Sequence, residues 1–168
     1  MTPISSLRIF AAAASLAALA ACGGKEPAGP DETATPAAAD EPAVIGERQD
    51  NYEAIGDAFK AIRGQLEGGA PDFAAIGASA SDINARAQKI TGYFPEGTSI
   101  DAGYDTEALA TIWEKPAEFE LAAQNLVEAS AELSGIAVTG DAAAVAEGVK
   151  KLGGACKACH DQFRVKKD

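Results

Sequence analysis

The chain has 168 residues, 47% apolar and 6% aromatic, with 25 acidic against 14 basic side chains and a formal charge of −11. That is room for one ordinary domain plus a tail or two, and the acid excess excludes nucleic acid as a partner, because a phosphate backbone is bound by a basic surface. One His (His160), one Met (Met1) and three Cys (Cys22, Cys156, Cys159) make up the whole supply of imidazole and sulfur ligands, so each has to be accounted for.

Residues 1–21 pair an early positive charge, Arg8, with an apolar run from Ile9 to Ala21 that is too short to span a bilayer, and they read as a secretory signal. The run closes on Leu19-Ala20-Ala21-Cys22, which resembles the bacterial lipobox. In that reading the Cys22 thiol is lipidated. An ordinary A-x-A-type cleavage would instead leave a reactive unpaired thiol in an oxidising compartment. Residues 22–43 are rich in Pro, Ala and acid (Pro27, Pro30, Pro36, Pro42) and carry almost no large apolar side chain, so they are predicted to be a flexible tether. The folded domain is then 44–168.

Within that domain Tyr52, Ile55, Phe59, Ile62 and Leu66 recur at steps of 3 and 4, the seam of an amphipathic helix stopped by Gly68-Gly69 and Pro71. Asp72 is predicted to cap a second helix, whose seam runs Phe73, Ile76, Ala80, Ile83, Ala87, Ile90 and Phe94 before Pro95. Residues 95–116 form one long connection around a short helical candidate, Thr106 to Trp113. A third seam runs Phe119, Ala122, Leu126, Ala129, Leu133 and Ile136. The fourth, capped near Thr139 or Asp141, runs Val145, Val149, Leu152, Cys156, Cys159 and Phe163. No stretch alternates with period two. The fold class is therefore all-α, an antiparallel four-helix bundle with a long connection between helices two and three. The many Ala positions on the seams (Ala80, Ala87, Ala122, Ala129) suggest space left for something other than side chains.

Cys156-Lys157-Ala158-Cys159-His160 is C-x-x-C-H, the c-type haem attachment pattern. On a helix, positions i and i+3 share a face, so both thiols can add to the two haem vinyl groups while His160 reaches the iron. Competing readings fit less well. A thioredoxin-like pair needs a preceding strand and a helix N-terminus, and a zinc site needs more ligands than two Cys and one His; a structural i to i+3 disulfide is the third alternative. With no second His, and Met1 in the signal, no usual strong sixth ligand exists. The expectation is five-coordinate, high-spin iron.

At this point the chain resembles the cytochrome c' family over about Ile45 to Lys167. The likeness rests on Arg48-Gln49-x-x-Tyr52, Phe94-Pro95-Glu96-Gly97-Thr98, Ile112-Trp113 followed by Phe119, and Cys156-Lys157-Ala158-Cys159-His160-Asp161-x-Phe163-Arg164. The resemblance implies one covalent haem c, a propionate partner in Arg48, a distal-face residue in Tyr52 and a basic residue beside the proximal face in Arg164. It further implies that Trp113, Phe119 and Phe94 pack around the macrocycle, and that two copies can pair through the first two helices as a homodimer.

The expected function is binding of small diatomic gases, above all nitric oxide, with ferric/ferrous electron exchange. The chain is expected not to be an enzyme, since no distal acid/base residue is available. A second reading is a dedicated electron-transfer cytochrome that docks a periplasmic redox partner through Lys150, Lys151, Lys157, Arg164, Lys166 and Lys167. The expected location is the periplasm of a Gram-negative bacterium, lipid-anchored to a membrane, the outer one by default.

Overall fold

The computed structural model describes residues 41–166. The readings that fall on residues 1–40, the signal, Cys22 and most of the tether, lie outside the described residues, as does Lys167. Among the described residues five helices follow in order: α1 (Ala43–Glu67), α2 (Phe73–Ala87), the one-turn α3 (Thr111–Glu114), α4 (Pro116–Ala137) and α5 (Ala142–Phe163). No strand occurs among them. The four long helices form the bundle. α2 packs on α1 and on α4, and α4 on α5, while α1 and α5 barely touch. That open seam is where the site lies.

Helix ends follow local chemistry. Pro42 precedes α1, so the helix starts one residue before the expected boundary at 44. Asp72 caps α2 by accepting hydrogen bonds from the Ala74 and Ala75 amides at 2.9 and 3.1 Å. Asp141, rather than Thr139, caps α5 in the same way through Ala143 and Ala144. Gly69 and Gly140 take positive φ (74° and 69°), a conformation that penalises any side chain, and so turn the chain after α1 and α4.

Three expectations need correction. Helix two does not run to Phe94: α2 ends at Ala87 and a 3-10 turn, Ile90–Tyr93, replaces its last turn. There the ladder tightens, with Lys89 N bonding to Arg86 O and Gly92 N to Lys89 O, both three residues back. This releases Phe94 to turn inward. Thr106 to Trp113 is not one helix either, since only 111–114 is helical. Thr106 spends its hydroxyl on Arg48, and residues 107–109 lie extended beside the end of α5, with Leu109 N bonding to Phe163 O (3.1 Å) and Val165 N to Glu107 O (2.9 Å). A backbone that bonds across to another element has no i to i+4 ladder to offer.

Nor do most of the seam alanines leave the space expected of them. Ala80, Ala87 and Ala129 are buried but do not border the cavity described below; of the four named, only Ala122 does. α2 carries Ala80, Ala87 and Gly77, and α4 carries Ala129 and Ala137; a Cβ on Gly77 would meet that of Ala137 at 3.4 Å. Small residues here bring two backbones together. The approach lets Asn84 Nδ2 donate to Val127 O at 2.7 Å and to Ser130 Oγ at 3.3 Å. Around this contact Ile62, Ile76, Ile83, Leu133, Val145 and Leu152 are fully buried, each contributing about 1.5–3 kcal/mol.

Candidate functional site

A cavity of about 580 Å³ opens between α1 and α5, within the usual range for cofactor sites. Cys156, Cys159 and His160 border it from α5, Arg48, Tyr52, Ile55 and Phe59 from α1, Phe119 and Ala122 from α4, and Phe94, Thr106 and Glu107 from the long connection. Four separate stretches of sequence thus meet at one hollow.

The α5 wall carries the reactive atoms. Cys156 and Cys159 are half-buried and unbridged. Burial pushes both thiols up, Cys159 to about 11 with help from its neighbour Cys156, so at neutral pH each is a protonated thiol. His160 is exposed at the cavity's edge. Partial desolvation, with Arg164 nearby, lowers its imidazole below the ordinary value, keeping the ring neutral and its nitrogen lone pair available at neutral pH. Among the described residues no group of three or more His, Cys, Asp or Glu is gathered as a metal site in its own right. The donor set is two thiols on one helical face and one imidazole.

Arg48 is the best-anchored side chain of the α1 wall. Only 3% exposed, it donates from Nη2 to Thr106 Oγ1 at 2.7 Å and to Thr98 O at 3.1 Å, and from Nη1 to Thr98 Oγ1 at 3.3 Å. Its guanidinium also lies 4.6 Å from the centroid of the Phe94 ring. Burial lowers its pKa, opposed mainly by Tyr52 and Glu41. These three acceptors are neutral, so a buried positive charge faces the cavity held by hydroxyls, a carbonyl and an aromatic face. An anionic substituent of a bound group would find its counter-charge there. One turn further along α1, Tyr52 faces the two thiols. Burial, and secondarily Cys159, raises its phenol well above the usual value near 10.

Aromatic rings line the inner end. Phe94 packs edge-on to Tyr52 (6.4 Å between centroids) and to Phe119 (4.8 Å), and Phe119 in turn to Phe163 (5.3 Å). Trp113 does not border the cavity. It stands behind Phe94, 6.2 Å away, and its indole N–H donates to Phe94 O at 3.1 Å, so it fixes the ring that faces inward. Arg164 does border the cavity, paired with Glu107 and bridged through its backbone to Ala108. Sequence reasoning missed the parts played by Thr98, Thr106 and Glu107, since polar loop residues carry no periodic signal and only the folded connection brings them to Arg48 and Arg164. It missed the place of Phe59 as well, although its seam position offered a pointer.

The residues fit a covalently attached haem. The hollow is large and mostly apolar, its thiols sit one turn apart on one wall, an imidazole follows them, and the opposite wall supplies a buried cation. Cys156 and Cys159 would hold the group through thioether bonds, and His160 would supply the axial nitrogen. Fold and site together define a c-type haem protein built on a four-helix bundle.

Comparison with known proteins agrees. A sequence model described as Cytochrome C' matches residues 43–164. A cytochrome c' of Pararhodospirillum photometricum is 35% identical over 122 residues, covering 73% of this chain and 96% of that protein. Among solved structures, cytochrome c' from Rhodobacter spheriodes superposes with a TM-score of 0.68 at 34% identity, covering 77% of this chain and all of that one. A nitric oxide complex of a mutant cytochrome c prime from Alcaligenes xylosoxidans gives 0.65 at 27% identity, covering 74% and 95%. The chain belongs to the cytochrome c' family, and its cofactor is covalently bound haem c.

Proposed function

We propose that this protein binds small neutral diatomic gases, nitric oxide foremost, at an iron position left open by its own side chains, and that it is a carrier or sink rather than an enzyme. A haem held through His160 supplies that position when bound. One observation carries the reading: the α1 wall opposite His160 presents Tyr52, Ile55 and Phe59, and the chain has no second His and no Met beyond Met1 to act as a strong sixth ligand. The nitric oxide complex of the Alcaligenes relative supports it. Apolar walls favour a neutral ligand over a polar or charged one, and the raised pKa of Tyr52 keeps its oxygen protonated, hence a poor ligand in its own right.

The reading extends to location and partners. The signal-like start and the Cys22 lipobox support a periplasmic protein tethered to a membrane, and among the described residues no helix is long and apolar enough to cross one. Ferric/ferrous exchange with a periplasmic redox partner belongs to the same reading, as does pairing of two copies. The alternative, a dedicated electron-transfer cytochrome docking through a basic α5, is weakened by the charges themselves. Lys150 pairs with Glu147, Lys151 with Glu132, Lys157 with Asp161 and Arg164 with Glu107, so that most of the basic face is locally neutralised.

The test is an optical titration of the matured protein. Ferric and dithionite-reduced samples are recorded before and after nitric oxide. A broad high-spin spectrum that converts stoichiometrically supports the proposal. Sharp low-spin bands unmoved by gas would sink it and favour the electron-transfer reading.

A further inference from the structure

A second hollow, about 400 Å³ and more open, lies between α1 and α5 towards the other end of the bundle, walled by Leu66, Ala146, Val149 and Gly153 and rimmed by Arg63 and Lys150. Among the described residues Phe59 alone borders both this hollow and the haem cavity. Its ring is the partition between them.

The opposite helix is thinned at this point. Gly153 sits inside α5, where a glycine costs about 1 kcal/mol relative to alanine. A Cβ there would stand 3.3 Å from Phe59 Cζ and near no other side chain among the described residues. Glycine at 153 therefore makes room for one thing, the end of the Phe59 ring. A Cβ added to the adjacent Gly154 would meet nothing within 4 Å, so crowding accounts for 153 alone. The ring is only half-buried and, among the described residues, makes no aromatic pair of the kind that fixes Phe94 and Phe119. The ring packs against the core on one side and borders open space in both hollows, so its free edge has room to turn.

We infer that Phe59 is a gate, and that the Leu66–Val149 hollow is an entry channel for neutral diatomic gas into the α1 side of the haem cavity. The inference rests on the gas-binding reading above. His160 is exposed at the cavity's solvent edge, and a haem held through Cys156, Cys159 and His160 would narrow entry on that side, whereas the hollow beyond Phe59 reaches the cavity from the Leu66–Val149 side of the α1–α5 seam. The hollow's apolar floor suits an uncharged ligand, and Phe59 lies two turns along α1 from Tyr52, on the same face.

A gate differs from a wall in what it changes. A residue that only obstructs passage alters association and dissociation rates by the same factor and leaves Kd alone, whereas a residue touching the bound gas alters Kd. The experiment uses the matured ferrous holoprotein with carbon monoxide as probe, read by flash photolysis for association and by ligand replacement for dissociation. Phe59→Ala should raise both rates about five-fold or more and Phe59→Trp should lower both, while the constancy of Kd, within two-fold, is read in Gly153→Ala, because Gly153 borders the hollow and not the haem cavity. Gly153→Ala, which presses on the ring without removing it, should also slow both and covers the case in which Phe59→Ala fails to mature. As a readout independent of haem ligation, xenon-pressurised crystals should show xenon in the hollow of the wild-type protein and continuous occupancy into the cavity in Phe59→Ala.

Unchanged rates in matured Phe59→Ala, a shift in the Kd of Gly153→Ala carried by dissociation alone, or a hollow that takes no xenon would each overturn the gate. A wild-type ferrous protein that binds neither carbon monoxide nor nitric oxide would instead bring down the gas-binding reading itself, and the gate with it. Gas binding with rates indifferent to Phe59 would leave that reading standing and remove only the gate.

Discussion

Replacing Thr106 by Val deletes one hydroxyl of nearly the same shape from a buried site. In the native protein that hydroxyl accepts from Arg48 Nη2 at 2.7 Å and from Ala108 N at 3.3 Å. A hydrogen bond to a charged group contributes about 1.5–3 kcal/mol, and a second donor left without its acceptor adds about 1 kcal/mol. Arg48 is 3% exposed, so water cannot replace the lost acceptor without opening the connection. The expected loss is about 2–4 kcal/mol, or roughly 10 °C in melting temperature for a domain of this size. Thr106→Ser, which keeps the oxygen, should lose under about 1 kcal/mol. Thr98→Val should fall between, because the Thr98 carbonyl continues to accept from Arg48 at 3.1 Å. Urea unfolding of the matured protein, followed by far-UV circular dichroism, measures all three, and covalent haem stays on the chain in both states. A Thr106→Val loss below about 0.5 kcal/mol, the range of ordinary surface changes, would refute the claim that Arg48 is held by these hydroxyls.

Other outcomes follow from the same geometry. In Cys156→Ala with Cys159→Ala the haem should run free of the polypeptide on a denaturing gel, while either single variant retains it. Gly148→Val should destabilise by about 1–3 kcal/mol, because a Cβ there already meets Leu133 Cδ1 at 3.0 Å; Gly154→Ala, with open space around it, should stabilise by up to about 1 kcal/mol. Ultraviolet difference titration of the wild type against Tyr52→Phe should place the Tyr52 phenolate well above pH 10. Since the unfolded chain gives up that proton first, Tyr52 should cost stability progressively above about pH 10, and Tyr52→Phe should flatten that fall.

Features written in local periodicity were legible in the sequence. The 3-and-4 spacing from Tyr52 to Leu66 gave α1, Asp72 gave the α2 cap, and C-x-x-C-H gave the chemistry of one wall. Features decided by contacts distant along the chain were not. Ile90 and Phe94 keep helical spacing, yet Phe94 leaves the helix to meet Arg48, Tyr52 and Phe119. Thr106 to Trp113 has helix-forming residues, but its backbone pairs with the end of α5, some 50 residues on. The alanines look alike in sequence, and only packing shows that Ala80, Ala87 and Ala129 are buried away from the cavity while Ala122 borders it.

The central claim is that His160 is the sole strong axial ligand this chain provides, leaving one haem face open towards Tyr52. Low-temperature electron paramagnetic resonance of the ferric protein at neutral pH tests it most directly. A high-spin signal that persists in Tyr52→Phe is expected, because in the proposed reading the phenol is a neighbour and not a ligand. A low-spin rhombic signal in the wild type, or a change of spin state on removing the Tyr52 oxygen, would contradict it.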